Sequence, residues 1–107
     1  MQTLRFKRGD TWTVTADALS AGQPVDLLSV TIQSQIRSTP DGSVVATWTI
    51  TKSGTVTGRY AMAIAAATTA SIAEGTYLCD VQYTDGGGAV SSTSTFAIEV
   101  SLDITHP

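Results

Sequence analysis

The chain has 107 residues, of which 42% are hydrophobic and only 14% are charged, with a formal net charge of −3. This length fits one domain of about 100–150 residues, and the hydrophobic content excludes a disordered chain. The acidic balance gives no general attraction for DNA phosphates, so nucleic acid is not an expected partner. Threonine (18) and serine (11) are abundant and asparagine is absent, so we expect a hydroxyl-rich rather than an ionic surface.

The basic residues are unevenly placed, because three of the six lie within the first eight positions. We interpret residues 1–8 as a basic N-terminal strand or arm, and residues 101–107 as a C-terminal tail, of a single domain spanning 1–107. Both segments are suited to contacting partner proteins. The candidate partner contacts are Arg5, Lys7, Arg8 and His106.

Cysteine usage and the chain start bear on the expected compartment. Cys79 is the only cysteine, so no internal disulfide can form, and together with a single histidine it cannot supply a tetrahedral zinc site. The first ten residues lack the apolar region of a signal peptide, and no run has the roughly 18 apolar residues of a membrane span. We therefore expect a protein made in a reducing cytoplasm, with no membrane partner.

The first half of the chain shows the alternation of apolar and polar residues that is typical of half-buried strands. Turn residues separate these segments, for example Gly9-Asp10 and Asp41-Gly42. Four strands are predicted here. Their inward sets are Leu4 and Phe6; Trp12, Val14 and Ala16; Val30, Ile32, Ser34 and Ile36; and Val44, Ala46, Trp48 and Ile50.

Three more strands are predicted in the second half. An alanine-rich segment precedes the sixth and predicts one short helical turn near residues 67–74, capped by Thr68, Thr69 or Ser71 and ended by Gly75. Seven strands with one helical turn predict an all-β antiparallel sandwich. The inward sets are Tyr60, Met62 and Ile64; Tyr77, Cys79, Val81 and Tyr83; and Phe96, Ile98 and Val100.

The segment Glu74–Cys79 resembles the corner before the sixth strand of an immunoglobulin domain. There, a tyrosine two positions before a cysteine bonds back to the backbone. Tyr77 and Cys79 have this spacing, but Val14 or Ala16 stands where the second cysteine would be. An immunoglobulin-like sandwich without its disulfide is therefore predicted.

No set of residues predicts catalysis or a cofactor. His106 lies in the tail, the acidic residues show no paired or calcium-loop spacing, and Asp85–Gly88 lacks the Lys-Ser/Thr of a phosphate loop. We therefore predict a non-enzymatic protein without a cofactor or small-molecule substrate. A carbohydrate-binding or host-adhesion module stays open as an alternative. It requires exposed aromatic rings among Trp12, Trp48, Tyr60 and Tyr83.

Three motifs resemble small virion proteins of tailed bacteriophages, in particular the family of the N-terminal domain of phage upper baseplate proteins. They are Leu4–Thr11, Val25–Leu27 and Gly75–Gly86, within a resemblance that spans residues 3–100. The resemblance implies an immunoglobulin-like assembly or attachment module with no catalytic residues.

This resemblance places the protein in the virion, in the tail, baseplate or neck, bound to other virion proteins and to copies of itself. A capsid decoration protein is the structural alternative. Threonine-rich edge strands with few charges fit such a role, because unguarded sheet edges pair readily with other chains. We therefore expect the low charge to mark surfaces that neighbours cover.

Overall fold

The computed structural model describes residues 1–102 and 104, which form eleven strands and one short helix. Three of the strands have only two or three residues, which accounts for part of the difference from the seven predicted. The elements are β1 (Thr3–Lys7), β2 (Trp12–Asp17), β3 (Leu19–Ser20), β4 (Gln23–Pro24), β5 (Thr31–Arg37), β6 (Val44–Thr47), β7 (Thr49–Lys52), β8 (Arg59–Ile64), α1 (Ala66–Thr69), β9 (Gly75–Thr84), β10 (Val90–Ser92) and β11 (Phe96–Ser101).

The strands form two sheets and a small hairpin. One sheet has the order β1-β11-β9-β5-β6, with β10 also paired to β9; the other has the order β2-β8-β7; and β3 pairs with β4. β1 and β11 are parallel, a pairing that the predicted antiparallel pattern did not include, and the other pairs are antiparallel.

The strand order confirms an immunoglobulin-like β-sandwich. In such domains strands B, E and D form one sheet, and C, F and G form the other. Here β2, β8 and β7 occupy the B, E and D places, while β5, β9 and β11 occupy C, F and G. One end of the sandwich therefore carries the β2–β5, β7–β8 and β9–β10 connections, and we call it the loop end.

The predicted fourth strand is two strands, which is a correction to the sequence analysis. β6 pairs with β5 in the six-stranded sheet, whereas β7 pairs with β8 in the three-stranded sheet. Trp48 lies between them, and its N–H donates to Ser34 O at 3.0 Å. The segment 44–52 therefore crosses between the sheets and forms an edge of each, and we call it the crossing edge.

The helical turn begins one residue before its predicted span of 67–74 and ends five residues before the end of that span, and its predicted caps are wrong. α1 covers Ala66–Thr69 and begins at Ala65, which makes no side-chain capping bond. Thr69 is fully buried instead, because its hydroxyl donates to Asp10 O at 2.6 Å and accepts from Gly9 N–H at 3.1 Å. This hydroxyl ties the helix to the β1–β2 turn.

The last predicted strand is interrupted between β10 and β11. At this point the Thr93 side chain replaces a backbone acceptor: Val81 N–H donates to Thr93 Oγ1 at 3.0 Å, while Thr93 N–H donates to Val81 O at 2.9 Å. Side-chain bonds of this kind compete with a regular ladder. β1 then pairs only with β11, so β10 has no strand on its outer side among the described residues.

The core contains the side chains that the alternation predicted to point inward, except Val44, which is 41% exposed at the start of the edge strand β6. Phe6 stacks on Trp12 with ring centroids 5.0 Å apart, and Trp48 lies 6.3 Å from Trp12. Large aromatic rings supply much of the apolar area that a small sandwich can bury. The largest fully buried hydrophobic side chains are Trp12, Ile36, Tyr60, Met62 and Ile98.

The predicted tyrosine corner is present. Tyr77 Oη donates to Ala73 O at 2.6 Å, four residues upstream, at the start of β9. This bond fixes the chain where it leaves the α1 segment and enters the sheet.

Replacing Tyr77 with phenylalanine removes this bond and keeps the ring. We expect the free energy of unfolding to fall by about 0.5–1.5 kcal/mol, the usual net contribution of one hydrogen bond. Urea denaturation measures this, with Tyr83→Phe as a comparison for loss of a different tyrosine hydroxyl. An unchanged midpoint for Tyr77→Phe would show that the corner does not stabilise the fold.

Candidate functional site

The crossing edge has the composition of an unprotected sheet edge. From Val44 to Thr51 it contains no charge, glycine or proline, and Lys52 is its only charged residue. Edge strands are normally protected by lysine, proline or bulges, since their free backbone groups can pair with another chain. Here the protecting features are Lys52 at the end of β7 and a register shift between Ile36 and Arg37, where β5 meets β6.

Backbone groups of both edge strands point away from the sandwich. Trp48 N–H bonds to β5, so the N–H and C=O of the preceding Thr47 face the free side of β6. In β7, Ser53 N–H donates to Arg59 O at 2.8 Å, so alternate residues bond to β8, and the backbone N–H and C=O of Ile50 face the free side of the edge while its side chain points to the core. The crossing edge thus offers donors and acceptors to an added strand.

The edge of the six-stranded sheet that lies opposite β6 is charged. β1, the other edge of the six-stranded sheet, carries Arg5 and Lys7, which are both exposed. Arg5 forms an ion pair with Glu99 on β11, with Nε and Oε2 3.6 Å apart. The predicted basic strand or arm is therefore a paired strand, and its two basic residues guard this edge, whereas the crossing edge has only Lys52.

The other two predicted partner contacts have different outcomes. Arg8 Nε donates to Ala70 O at 2.9 Å, so this guanidinium helps to hold α1 against the β1–β2 turn. His106 lies outside the described residues, as do Asp103 and the remaining tail positions 105 and 107.

The outer face of the three-stranded sheet consists of small, uncharged residues. Two rows of residues cross the three strands in register. The first row is Thr13, Ala63 and Thr49, and the second is Thr15, Ala61 and Thr51. The four threonines are exposed and the two alanines are partly buried. Asp17 and Arg59 end the face with an ion pair in which Nε and Oδ1 are 2.9 Å apart. The predicted placement of threonine on outer faces is confirmed for this sheet.

A cleft of about 670 Å³ opens at the loop end, between β10 and the chain that follows β2. Its size is within the 300–1,000 Å³ range typical of ligand sites. Leu19 and Val90 stand at its rim and are 60% and 59% exposed, whereas Leu27 is buried. β1 pairs with Ala97–Ser101 of β11 and therefore does not lie beside β10. Its lining includes Leu19, Val25, Leu27, Val30, Tyr83 and Val90.

A tyrosine pair forms the polar wall of this cleft. Tyr83 lines it, and its hydroxyl lies 2.5 Å from that of the buried Tyr60, with the two rings edge to face. Burial, followed by the hydrogen bond with Tyr83, raises the pKa of Tyr60 well above its ordinary value. The Tyr60 hydroxyl is therefore neutral near pH 7.

The aromatic residues do not form an exposed binding platform. Trp12, Trp48 and Tyr60 are buried, and Tyr83 is partly buried. The carbohydrate-binding alternative required these rings to be exposed on the surface, and the structure does not place them there.

The cysteine is a core residue, as expected. Cys79 is buried, and its sulfur lies 3.2 Å from Ser34 Oγ, which also contacts Asp80 O at 2.7 Å. Burial raises the pKa of the Cys79 thiol, which keeps it protonated and weakly nucleophilic.

Across residues 1–102 and 104, no three His, Cys, Asp or Glu side chains come together as a metal-binding group. In the same part of the chain, no helix has the length and apolar character needed to span a membrane.

Comparisons with known proteins give structural neighbours only. No protein-family model matches the sequence, and no curated protein matches it. The structure of murine CRIg is similar with a TM-score of 0.47 and 10% identity, over 94% of this chain and 93% of that one. The crystal structure of CopC from Methylosinus trichosporium OB3b has a TM-score of 0.42 and 12% identity, over 69% and 67%. The fold assignment rests on the strand order described above.

The cleft and the crossing edge were both missed as specific sites by the sequence analysis, which predicted edge binding without saying which edge. The available signals were the hydroxyl-rich Ser91–Thr95, where the last strand breaks, and the charge-free run from Val44 to Thr51.

Proposed function

We propose that this protein is a non-enzymatic structural module of a tailed-bacteriophage particle, which binds neighbouring subunits by adding their strands to its crossing edge. The observation that carries the proposal is the asymmetry of the sandwich. The β1 edge of the six-stranded sheet is guarded by Arg5 and Lys7, while the crossing edge presents the free backbone groups of Thr47 and Ile50 and has Lys52 as its one charged residue.

Physical chemistry supports a covered edge. A long uncharged edge on a free monomer is an aggregation hazard, because any exposed strand can pair with it. A neighbour that occupies the edge removes the hazard and gains backbone hydrogen bonds. The exposed threonine rows beside β7 widen the surface that such a neighbour could cover without burying a charge.

The phage setting is supported by the sequence motifs alone. Leu4–Thr11, Val25–Leu27 and Gly75–Gly86 resemble the baseplate-protein family, and an immunoglobulin-like fold is compatible with that family. Tail, baseplate and neck positions are the leading proposal, and capsid decoration is the alternative within the same class.

Placing charge on the crossing edge is predicted to block assembly. In Thr49→Lys/Thr51→Lys, two exposed residues of β7 become cationic. We expect incorporation into particles to fall about tenfold or more, the factor that roughly 1.4 kcal/mol of lost binding produces. Quantitative mass spectrometry of particles assembled with equal amounts of wild-type and variant chain measures the ratio.

The matched control is Thr13→Lys/Thr15→Lys, which adds the same charges in the same two rows but on β2. This control should enter particles as the wild type does. Equal loss in both variants would place the contact on the threonine face rather than at the edge, and no loss in either would contradict the proposed contact.

The setting itself is tested by the protein content of purified particles. The proposal expects the chain at many copies per particle, and immunogold labelling then separates tail from capsid. Absence of the chain from intact particles would overturn the proposed function.

A further inference from the structure

We propose that the neighbour on the crossing edge is a second copy of this chain, with the two β7 strands paired antiparallel about a two-fold axis at Ile50. The three-stranded sheets of the two copies then join into one continuous sheet. This inference rests on the proposed function, which it deepens by naming the partner and the register of the contact.

The backbone of β7 fixes the register of such a pair. Ser53 N–H donates to Arg59 O at 2.8 Å. Strand alternation then directs the odd-numbered residues of β7 to β8, while the N–H and C=O of Ile50 and Lys52 face the free side. In an antiparallel pair centred on Ile50, each Ile50 exchanges two hydrogen bonds with Ile50 of the second copy.

The side chains on both faces of β7 suit this register. On the outer face, Thr49 of each copy lies opposite Thr51 of the other, and threonine pairs across strands are favourable. On the inner face, the two Ile50 side chains are each partly buried in their own core, and side by side they cover more of each other. The threonine and alanine rows of the outer face then continue from one copy to the next.

The charge pattern favours the β7 edge of a second copy as the partner. Lys52 is the one charged residue of β7. In the proposed register the two Lys52 are offset by four residues, or about 14 Å at 3.4 Å per residue, which exceeds the screening length of about 8 Å in physiological salt. The β1 edge of a second copy would instead bring Arg5 and Lys7 toward Lys52, as like charges.

This contact uses the same surface of both copies, so it closes as a two-fold dimer. A strand of four residues gives a small interface, and the isolated protein is therefore expected to pair only at high concentration. Many copies held in one particle would strengthen the contact by raising the effective concentration.

Disulfide trapping with two variants tests the inference. Thr49→Cys and Thr51→Cys each add one thiol to the exposed outer face of β7. Directly opposed residues that share no hydrogen bond have Cα atoms about 4.5 Å apart, within reach of a disulfide, whereas diagonal neighbours at about 7–8 Å are too distant.

The two variants are oxidised mildly at high protein concentration, separately and as an equimolar mixture. The mixture should give roughly tenfold more cross-linked dimer on non-reducing gels than either variant alone, because only the mixture places two thiols within bridging distance. Peptide mass spectrometry should find the link between positions 49 and 51 of different copies. Circular dichroism verifies that each variant is folded.

The matched control is a mixture of Thr13→Cys and Thr15→Cys, which adds the same thiols in the same two rows but on β2. Cys79 is buried and present in every chain, so its contribution is the same throughout. The control mixture should give no more dimer than its separate components. Equal cross-linking of the β7 mixture and its separate components, or of the β7 and β2 mixtures, would overturn the inference.

The inference and the proposed function can fail separately. A trapped dimer of the purified protein, with the chain absent from intact particles, supports the inference and overturns the proposed function. Particles that contain the chain with a strand of a different protein on β7, and no trapped dimer, overturn the inference and support the proposed function.

Discussion

Replacing Trp12 with alanine is expected to cost about 3–5 kcal/mol of unfolding free energy, the range for truncating a large buried aromatic side chain. Trp12 is 1% exposed and stacks on Phe6, and its indole N–H donates to Lys7 O at 2.8 Å. The substitution therefore opens a cavity between the sheets and removes the bond that fixes the end of β1. Since the total unfolding free energy of a protein is only about 5–15 kcal/mol, this substitution would remove much of the stability.

Urea denaturation of both proteins measures this loss. Thr13→Ala, at the neighbouring exposed position of β2, is the control and should change stability by no more than about 0.5 kcal/mol. Point mutations in general lower the unfolding free energy by about 1 kcal/mol. A smaller decrease than this for Trp12→Ala would contradict the packing described.

Gly58→Ala is expected to have the second largest effect. Gly58 has φ +81°, and a Cβ there would lie 2.9 Å from Ala18 O, which belongs to the backbone. The left-handed conformation alone costs a non-glycine residue about 1–3 kcal/mol, and the collision adds to it. Gly58 O also accepts from Ala18 N–H at 2.7 Å, so the strain acts directly on the chain that lines the cleft.

The expected result for Gly58→Ala is therefore a lower unfolding midpoint. Gly54→Ala is the matched control in the same loop, because a Cβ at Gly54 meets no atom within 4 Å. Thermal unfolding of the two variants measures the difference. Equal stability of Gly58→Ala and Gly54→Ala would show that the loop relaxes without moving Ala18.

The buried face of each strand could be predicted from the sequence, but its pairing partner could not. Ala46, Trp48 and Ile50 keep one alternation and all point inward, so the segment resembles a single strand. Its hydrogen bonds nevertheless change from β5 to β8 at Trp48. Side-chain periodicity reports which face is buried, whereas the partner strand depends on residues far away in the chain.

The candidate sites depended on similar long-range bonds. Thr93 ends the β10 ladder through its side chain on Val81, and this opens the cleft. Arg8 was predicted to contact a partner, yet its guanidinium bonds to Ala70, 62 residues further along the chain. The low charge of the crossing edge was visible in the sequence, but its edge position required the strand order.

The central claim is that neighbouring subunits cover the crossing edge, and electron cryomicroscopy of particles from cells expressing the chain at its native locus tests it most directly. The account predicts density for a strand of an adjacent subunit within hydrogen-bonding distance of the backbone of Thr47 or Ile50. Particles that contain the chain with this edge open to solvent would contradict it.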